Sequence, residues 1–179
     1  MREGYDTKLN CNVESVLETI SVDIKFKEGT QHVFLNGEDV SEQIRTPEAS
    51  MMASAVSAKP EVRAFLLDMQ RRLARENNVI MDGRDIGTVV LPDATLKFFV
   101  TASVDERAMR RYKELKQKGM DVNFDDIYKD IETRDYNDSH REIAPLKPAA
   151  DSIMFDTTGN TLEESIEKLI KIIKERLSI

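Results

Sequence analysis

The stretch Val79-Ile80-Met81-Asp82-Gly83-Arg84-Asp85-Ile86-Gly87-Thr88-Val89-Val90-Leu91-Pro92-Asp93 constrains the fold more than any other. Its opening apolar run is too short for a helix and rich in β-branched residues, which predicts a buried strand. The run then breaks into Asp82-Gly83-Arg84-Asp85 before a second apolar run that stops at Pro92. In open parallel sheets, ligands sit just beyond the carboxyl ends of strands. Carboxylates and a guanidinium gathered there, with Gly83 and Gly87 letting the backbone bend, fit the floor of a polar-ligand site. A strand followed by a solvated turn would look the same over these residues alone.

The elements around this stretch decide the fold class. Ahead of it, Asn12 is placed to cap a short helix with Val13, Val16, Leu17 and Ile20 on its apolar face. Residues 22–27 alternate apolar and polar as a half-buried strand does. Glu28-Gly29-Thr30 turns the chain into a second strand, and Asn36-Gly37 is a strong hairpin signal. Residues 22–45 therefore read as a small antiparallel unit, with His32 on a strand surface. Thr46-Pro47 and Lys59-Pro60 each start a helix. The second places Val62, Leu66, Met69 and Leu73 on its inner face, and Met51, Met52, Ala53 and Ala55 of the first read as packing.

Beyond it, residues 96–100 read as another buried strand. Ser103-Val104-Asp105-Glu106 has the pattern of a capping box, opening a helix that Gly119 closes. Arg107, Arg110, Arg111, Lys113, Lys116 and Lys118 crowd that helix. They suit either a solvated face or a basic lid over phosphates. A third strand covers residues 152–156, and a capping box at Thr161-Leu162-Glu163-Glu164 opens a last helix that should bury Ile166, Leu169, Ile170 and Ile173. Strands alternating with helices over residues 47–179 indicate α/β architecture with a parallel sheet.

The helix from about Asn123 carries the most chemical information. Phe124, Ile127 and Ile131 define its apolar seam, and the same spacing continues it into Arg134, Asp138 and Arg141. Charges on an inward face are costly unless paired or bound to something. They form an interhelical salt-bridge network, or they recognise phosphate, for which forked guanidinium groups are well suited. His140 lies off the seam.

Composition limits the ligand and the setting. With a formal net charge of −7, the chain is a poor general nucleic-acid binder, so an anionic ligand needs a local basic cluster. Two distant histidines, His32 and His140, argue against a metal site, and the lone Cys11 fits a reducing cytoplasm. No apolar run approaches the roughly 20 residues of a membrane span. The polar start, Met1-Arg2-Glu3-Gly4-Tyr5-Asp6, predicts no signal peptide. The length suits one full-sized core.

Taken together, several stretches resemble the bacterial cytidylate kinases, which transfer the γ-phosphate of ATP to CMP or dCMP. They are Ile44-Arg45-Thr46-Pro47, Pro60-Glu61-Val62-Arg63, the Asp82–Val90 stretch, Pro92-Asp93-Ala94 and Leu96-Lys97-Phe98-Phe99. They continue with Arg107 to Arg111, Arg134-Asp135 through Asp138 to Arg141, and Ala144-Pro145-Leu146. The resemblance implies a P-loop nucleoside-monophosphate-kinase-like parallel sheet with flanking helices. It implies one domain over residues 1–179. Within it, residues 22–45 are the CMP-binding insert, 46–78 the helical monophosphate-binding region, and 79–179 the remaining core, with a lid around 104–141.

By the same resemblance, Ser54, Arg63 and Asp85 read the cytosine edge, and Arg84 holds the CMP phosphate. Arg134 and Asp138 hold the ribose, Arg141 reaches toward the phosphates, and Arg110 and Arg111 belong to the lid. The catalytic set is then Arg84, Arg134, Arg141, Arg110 and Arg111, with ATP and Mg²⁺ expected and no resident metal ligated by this chain. A different monophosphate kinase of the same fold fits the insert and the Asp-Gly-Arg-Asp stretch less well.

One departure stands out. No stretch fits Gly-x-x-x-x-Gly-Lys-Ser/Thr, the loop that cradles ATP phosphates in the family. In the family that loop follows the central strand, between those matching 79–82 and 96–100. The expectation is that this central strand is absent here. The flanking strands would then re-pair with each other or with another copy, although the family is monomeric. Kinase turnover from this chain alone is expected to be impaired. The alternative is a non-catalytic nucleotide-binding module, or an inactive fragment, that keeps the CMP pocket.

Overall fold

The computed structural model describes residues 13–57 and 59–179, and the side chains of all of these except 13, 14, 47, 48, 50, 51 and 54. The expected cap Asn12 and the lone Cys11 lie outside the described residues. The chain divides into two units, Met1–Val79 and Ile80–Ile179.

In the first unit, α1 (Val13–Leu17) packs against α3 (Pro60–Glu76). Three antiparallel strands follow in the order β1 (Val22–Lys27), β2 (Thr30–Leu35), β3 (Glu38–Asp39). Two-residue turns set their register. Glu28 and Gly29 (φ +51° and +78°) join β1 to β2, and Asn36 and Gly37 (φ +50° and +83°) join β2 to β3. Positive φ at both central residues matches the right-handed twist of the strands, so Lys27 pairs with Thr30 and Val22 with Leu35. Phe34 is buried beneath Lys25 and Lys27, whose ammonium groups lie 5.1 and 4.9 Å from its ring centre. The expected alternation holds at Val22 and Ile24 and fails at Phe26, which is exposed near the end of an edge strand.

A polar knot closes this sheet. The Asp39 carboxylate accepts from the Ser41 hydroxyl (2.5 Å) and the Ser41 amide (3.0 Å), and its other oxygen meets His32 Nδ1 at 2.7 Å. These contacts, the Ser41 hydroxyl first among them, hold the Asp39 carboxyl at about 2, against an ordinary 3.8. A group held below its unfolded value stabilises the fold above that value and stops doing so as pH falls through its folded value. This sheet should therefore loosen as pH drops from 3.8 toward about 2. Asp39→Asn should remove this component. Amide exchange at Val33 and Ser41, compared between the two proteins across that window, reads it directly.

Two helices complete the unit. Thr46 caps α2 (Pro47–Val56) by accepting from the Ala49 amide at 3.2 Å, with Pro47 in the first turn. Pro60 likewise opens α3, which buries Val62 and half-buries Leu66, Met69 and Leu73.

The second unit holds the α/β layer. Strands β4 (Phe98–Thr101) and β5 (Ile153–Asp156) pair in parallel, Phe98 with Ile153 and Thr101 with Asp156. The crossover between them is the pair α4 (Val104–Gln117) and α5 (Phe124–His140). Ala108, Leu115 and Ile127 form its buried centre, with Tyr112, Val122, Phe124, Tyr128 and Ile131 around them. Asn123 caps α5, accepting from Asp125 N at 2.7 Å. Helix α6 (Leu162–Leu177) opens with a complete capping box at Thr161 and Glu164. The structure is thus α/β, with a parallel sheet, a small antiparallel sheet and flanking helices.

Three expectations need correction. Residues 79–82 form no strand, and Ile80 is fully exposed (103%). Strand conformation needs a neighbour for its amides and carbonyls, and among the described residues β4 pairs with β5 alone. Re-pairing of this stretch with β4 within the chain therefore does not occur. Second, Ile166 and Ile170 of α6 remain 46% and 45% exposed, while Leu169 and Ile173 are half-buried. Ile166 instead lines an open groove with Val100 and Phe155 of the two strands. Third, at the start of α4 only half the expected box forms. Ser103 accepts from the Glu106 amide, while the Glu106 carboxylate turns to Arg110 instead.

Candidate functional site

The second unit gathers most of the charged residues singled out from the sequence around one carboxylate. Asp138, on the third-and-fourth-residue seam of α5, is buried, its side chain only 10% exposed. Arg84 Nε donates to Asp138 Oδ2 at 2.9 Å, and Arg134 Nε lies 3.8 Å from the same oxygen. Arg141 spans two carboxylates. Its Nη1 is 3.8 Å from Asp138 Oδ1 and its Nη2 is 3.8 Å from Asp85 Oδ1. Three guanidiniums thus face two carboxylates, which leaves one positive charge in excess.

Local structure positions each group. Arg141 ends α5, and its Nε donates to the Ala144 carbonyl at 2.7 Å, where Ala144 takes a left-handed φ of +50° before Pro145. Its Nη2 is buried without a hydrogen-bond partner among the described residues. A buried donor in that state costs on the order of 1–3 kcal/mol, and an incoming anion would satisfy it. Asp85 opens the π-helical turn Ile86–Val90, in which Leu91 N donates to Ile86 O at 2.7 Å. Such turns are rare, occur often at functional sites, and re-aim the residues beside them.

Gly83 and Gly87 serve this geometry by close approach, since neither has a positive φ. A Cβ on Gly83 would meet Ile86 Cγ1 at 2.9 Å, and one on Gly87 would meet Lys97 Cδ at 3.3 Å. Gly83→Ala should therefore push the turn off Arg84 and Asp85 and cost roughly 1–3 kcal/mol. Thermal unfolding of the variant measures that cost.

Lys97 braces the neighbouring loops. Its buried ammonium bonds the Pro92 carbonyl and sits 2.7 Å from Asp151, whose carboxyl its hydrogen bond holds below the usual range.

Most of the basic run of α4 is engaged within the fold. Arg110 donates to Glu106, to the Thr157 hydroxyl and carbonyl, and to the Asn160 carbonyl. It lines an open groove of about 360 Å³ with Val100, Phe155, Leu162 and Ile166. Arg111 and Lys118 both bond Glu114, lowering its carboxyl, with Lys118 the larger cause. In the first unit, Arg63 is half-buried and its Nη1 donates to the Ser57 carbonyl at 3.4 Å. The Ser54 side chain lies outside the described residues.

Comparison with known sequences gives this arrangement a family. The sequence pattern of cytidylate kinase matches residues 5–175. The chain belongs to the cytidylate kinase family. Relatives named cytidylate kinase include that of Fervidobacterium nodosum, 45% identical over 98% of this chain and 78% of its own length. That of Caldicellulosiruptor bescii is 51% identical over 89% of this chain and 71% of its own. That of Syntrophotalea carbinolica is 45% identical over 96% and 74% respectively.

A nucleoside monophosphate kinase places two anions in line and neutralises charge as it develops. The surplus of guanidinium charge on α5 and the 82–85 turn suits that task. Reading the seam of α5 predicted Arg134, Asp138 and Arg141 together, and the structure brings them together with Arg84 and Asp85. It missed a fifth contact. Arg107 grips Asp135 through a two-pronged ion pair. Asp135 sits one position off the seam, and Arg107 looked like one more lid cation.

Among the described residues no cluster of His, Cys, Asp or Glu could hold a metal ion. No helix among the described residues is long and apolar enough to cross a membrane.

Proposed function

We propose that this chain takes CMP or dCMP as phosphoryl acceptor, with its monophosphate held by Arg84 and Arg141. The observation that carries this is the buried Nη2 of Arg141, which makes no hydrogen bond among the described residues, within a cluster of net positive charge. A phosphate accepts from several guanidinium forks at once, and such charge-assisted bonds are about twice as strong as neutral ones. Asp138, already fixed by Arg84, would accept from one ribose hydroxyl, and Arg134 would donate to a ribose oxygen. Asp85 would accept from the exocyclic amine of cytosine. Ser54 and Arg63 join the base-reading set, and Arg110 and Arg111 the lid, through the family resemblance. ATP is the phosphate donor of this reading, with Mg²⁺ supplying charge neutralisation as it does for phosphoryl transfer generally.

The 179 residues contain no Gly-x-x-x-x-Gly-Lys-Ser/Thr loop, and this favours a second reading in which the chain binds the acceptor nucleotide without turning it over. Calorimetry with CMP, dCMP, UMP, AMP and ATP, beside a coupled ATP/CMP assay, separates the two. Binding of CMP without ATP binding or turnover supports the nucleotide-binding module. Turnover supports the kinase reading for this polypeptide. Binding of no nucleotide rejects both.

A further inference from the structure

We propose that Arg107 and Asp135 form a positioning pair that sets the rotation of α5, and so the aim of Arg134 and Asp138 at the acceptor. This rests on the nucleotide reading above for its consequence, and on the fold alone for its mechanism.

The apolar core shared by α4 and α5 ends early. Its α5 members are Phe124, Ile127, Tyr128 and Ile131, all in the first half of the helix. The second half, which carries Arg134 and Asp138, is held to its surroundings by polar contacts. Leu146 N donates to the Asp138 carbonyl at 2.7 Å, and Arg84 bonds the Asp138 side chain at 2.9 Å. Arg141 at the helix end adds its contacts to Asp85 and the Ala144 carbonyl, and the tie to α4 is the fork. Arg107 Nη1 and Nη2 meet the two oxygens of Asp135 at 2.9 and 2.6 Å. The same guanidinium donates through Nε to the Ala102 carbonyl at 3.0 Å, just beyond β4. One rigid planar group thus links the end of the sheet to the polar half of α5.

The fork resists rotation because both oxygens of one carboxylate are engaged in a single plane. At 3.6 residues per turn, Asp138 lies about 60° and Arg134 about 100° from Asp135, on the same side. At a side-chain radius of roughly 5–6 Å, turning the helix by about 10° displaces the Asp138 carboxylate by about 1 Å. A misplacement of that size in a binding constellation can cost on the order of 100-fold in rate. Lysine keeps the charge and loses the fork, so Arg107→Lys should not restore the function of arginine here.

Two measurements on the full chain test this. The first is hydrogen exchange of the unliganded protein, comparing wild type with Arg107→Gln, Arg107→Lys and Asp135→Asn. Amides of residues 132–141 should exchange at least about tenfold faster in all three variants, while those of 124–131 stay unchanged. Unchanged exchange at 132–141, or an equal rise along all of α4 and α5, would overturn the pair's positioning role. The second is the ratio of CMP to dCMP affinity by calorimetry. Because Asp138 is assigned to the ribose, the ratio should change by about threefold or more, whereas simple loss of folded protein scales both affinities equally. Faster local exchange with an unchanged ratio would reduce the pair to a structural clamp and also overturn the proposal. Should wild type bind neither nucleotide, the acceptor reading fails, and the exchange result still decides whether the fork sets α5.

Discussion

Arg141→Ala should weaken CMP binding by about ten- to a hundredfold, the worth of roughly 1.5–3 kcal/mol for a hydrogen bond to a charged group. The expectation follows from burial. The Arg141 side chain is 14% exposed, and its Nη2 has no hydrogen-bond partner among the described residues. Water does not screen this group as it would a surface cation. The comparison that isolates the effect is Lys118→Ala, whose ammonium is 58% exposed and pairs with Glu114. That variant should bind CMP within about twofold of wild type, as exposed ion pairs contribute little. Equal losses in both variants would mean that general positive charge, and not this cluster, holds the nucleotide.

Asp138→Ala should act on stability as much as on binding. Removing the buried carboxylate leaves Arg84, Arg134 and Arg141 with Asp85 as the one acid of the cluster. Breaking a fully buried pair costs about 3–5 kcal/mol. Here the Arg84 and Arg134 side chains are 41% and 51% exposed and can turn to water, so about 1–3 kcal/mol is the fitting range. For a chain of this size that is a fall of roughly 3–10 °C in Tm. The same variant should gain more from added phosphate than wild type does. An anion that binds the folded form stabilises it by mass action, and here it would take the place of the lost carboxylate. Scanning calorimetry with and without phosphate reads both effects. A variant whose Tm does not respond to phosphate would show that the cluster has no affinity for the anion.

Much of this arrangement could be read from the chain because local rules and the fold agree. The Asn36-Gly37 turn, the proline-led starts of α2 and α3, and the Thr161–Glu164 box are decided within a few residues. They appear where expected. The seam of α5 was legible for a different reason. A helix repeats every 3.6 residues, so charges that continue an apolar stripe must face the same way as that stripe. The failures share one cause: they depend on a neighbour that local sequence does not specify. Val79 to Asp82 have the composition of a strand, but no ladder forms without a partner. Ile166 and Ile170 have the spacing of a buried face, yet among the described residues nothing closes over them, and Ile166 borders an open groove. Gly83 looked like a hinge, whereas its role is to leave room for Ile86. The Arg107–Asp135 fork joins residues on separate helices and follows no period.

The claim beneath the whole account is that these guanidiniums receive a nucleotide phosphate, and the ³¹P resonance of CMP tests it most directly. Titrated with the protein, that resonance should shift and broaden to saturation at one equivalent. The change should be lost when Arg84 and Arg141 are both replaced by glutamine, with the fold confirmed by circular dichroism. A phosphate resonance that stays put as protein is added, or that shifts equally in the double variant, would contradict the assignment.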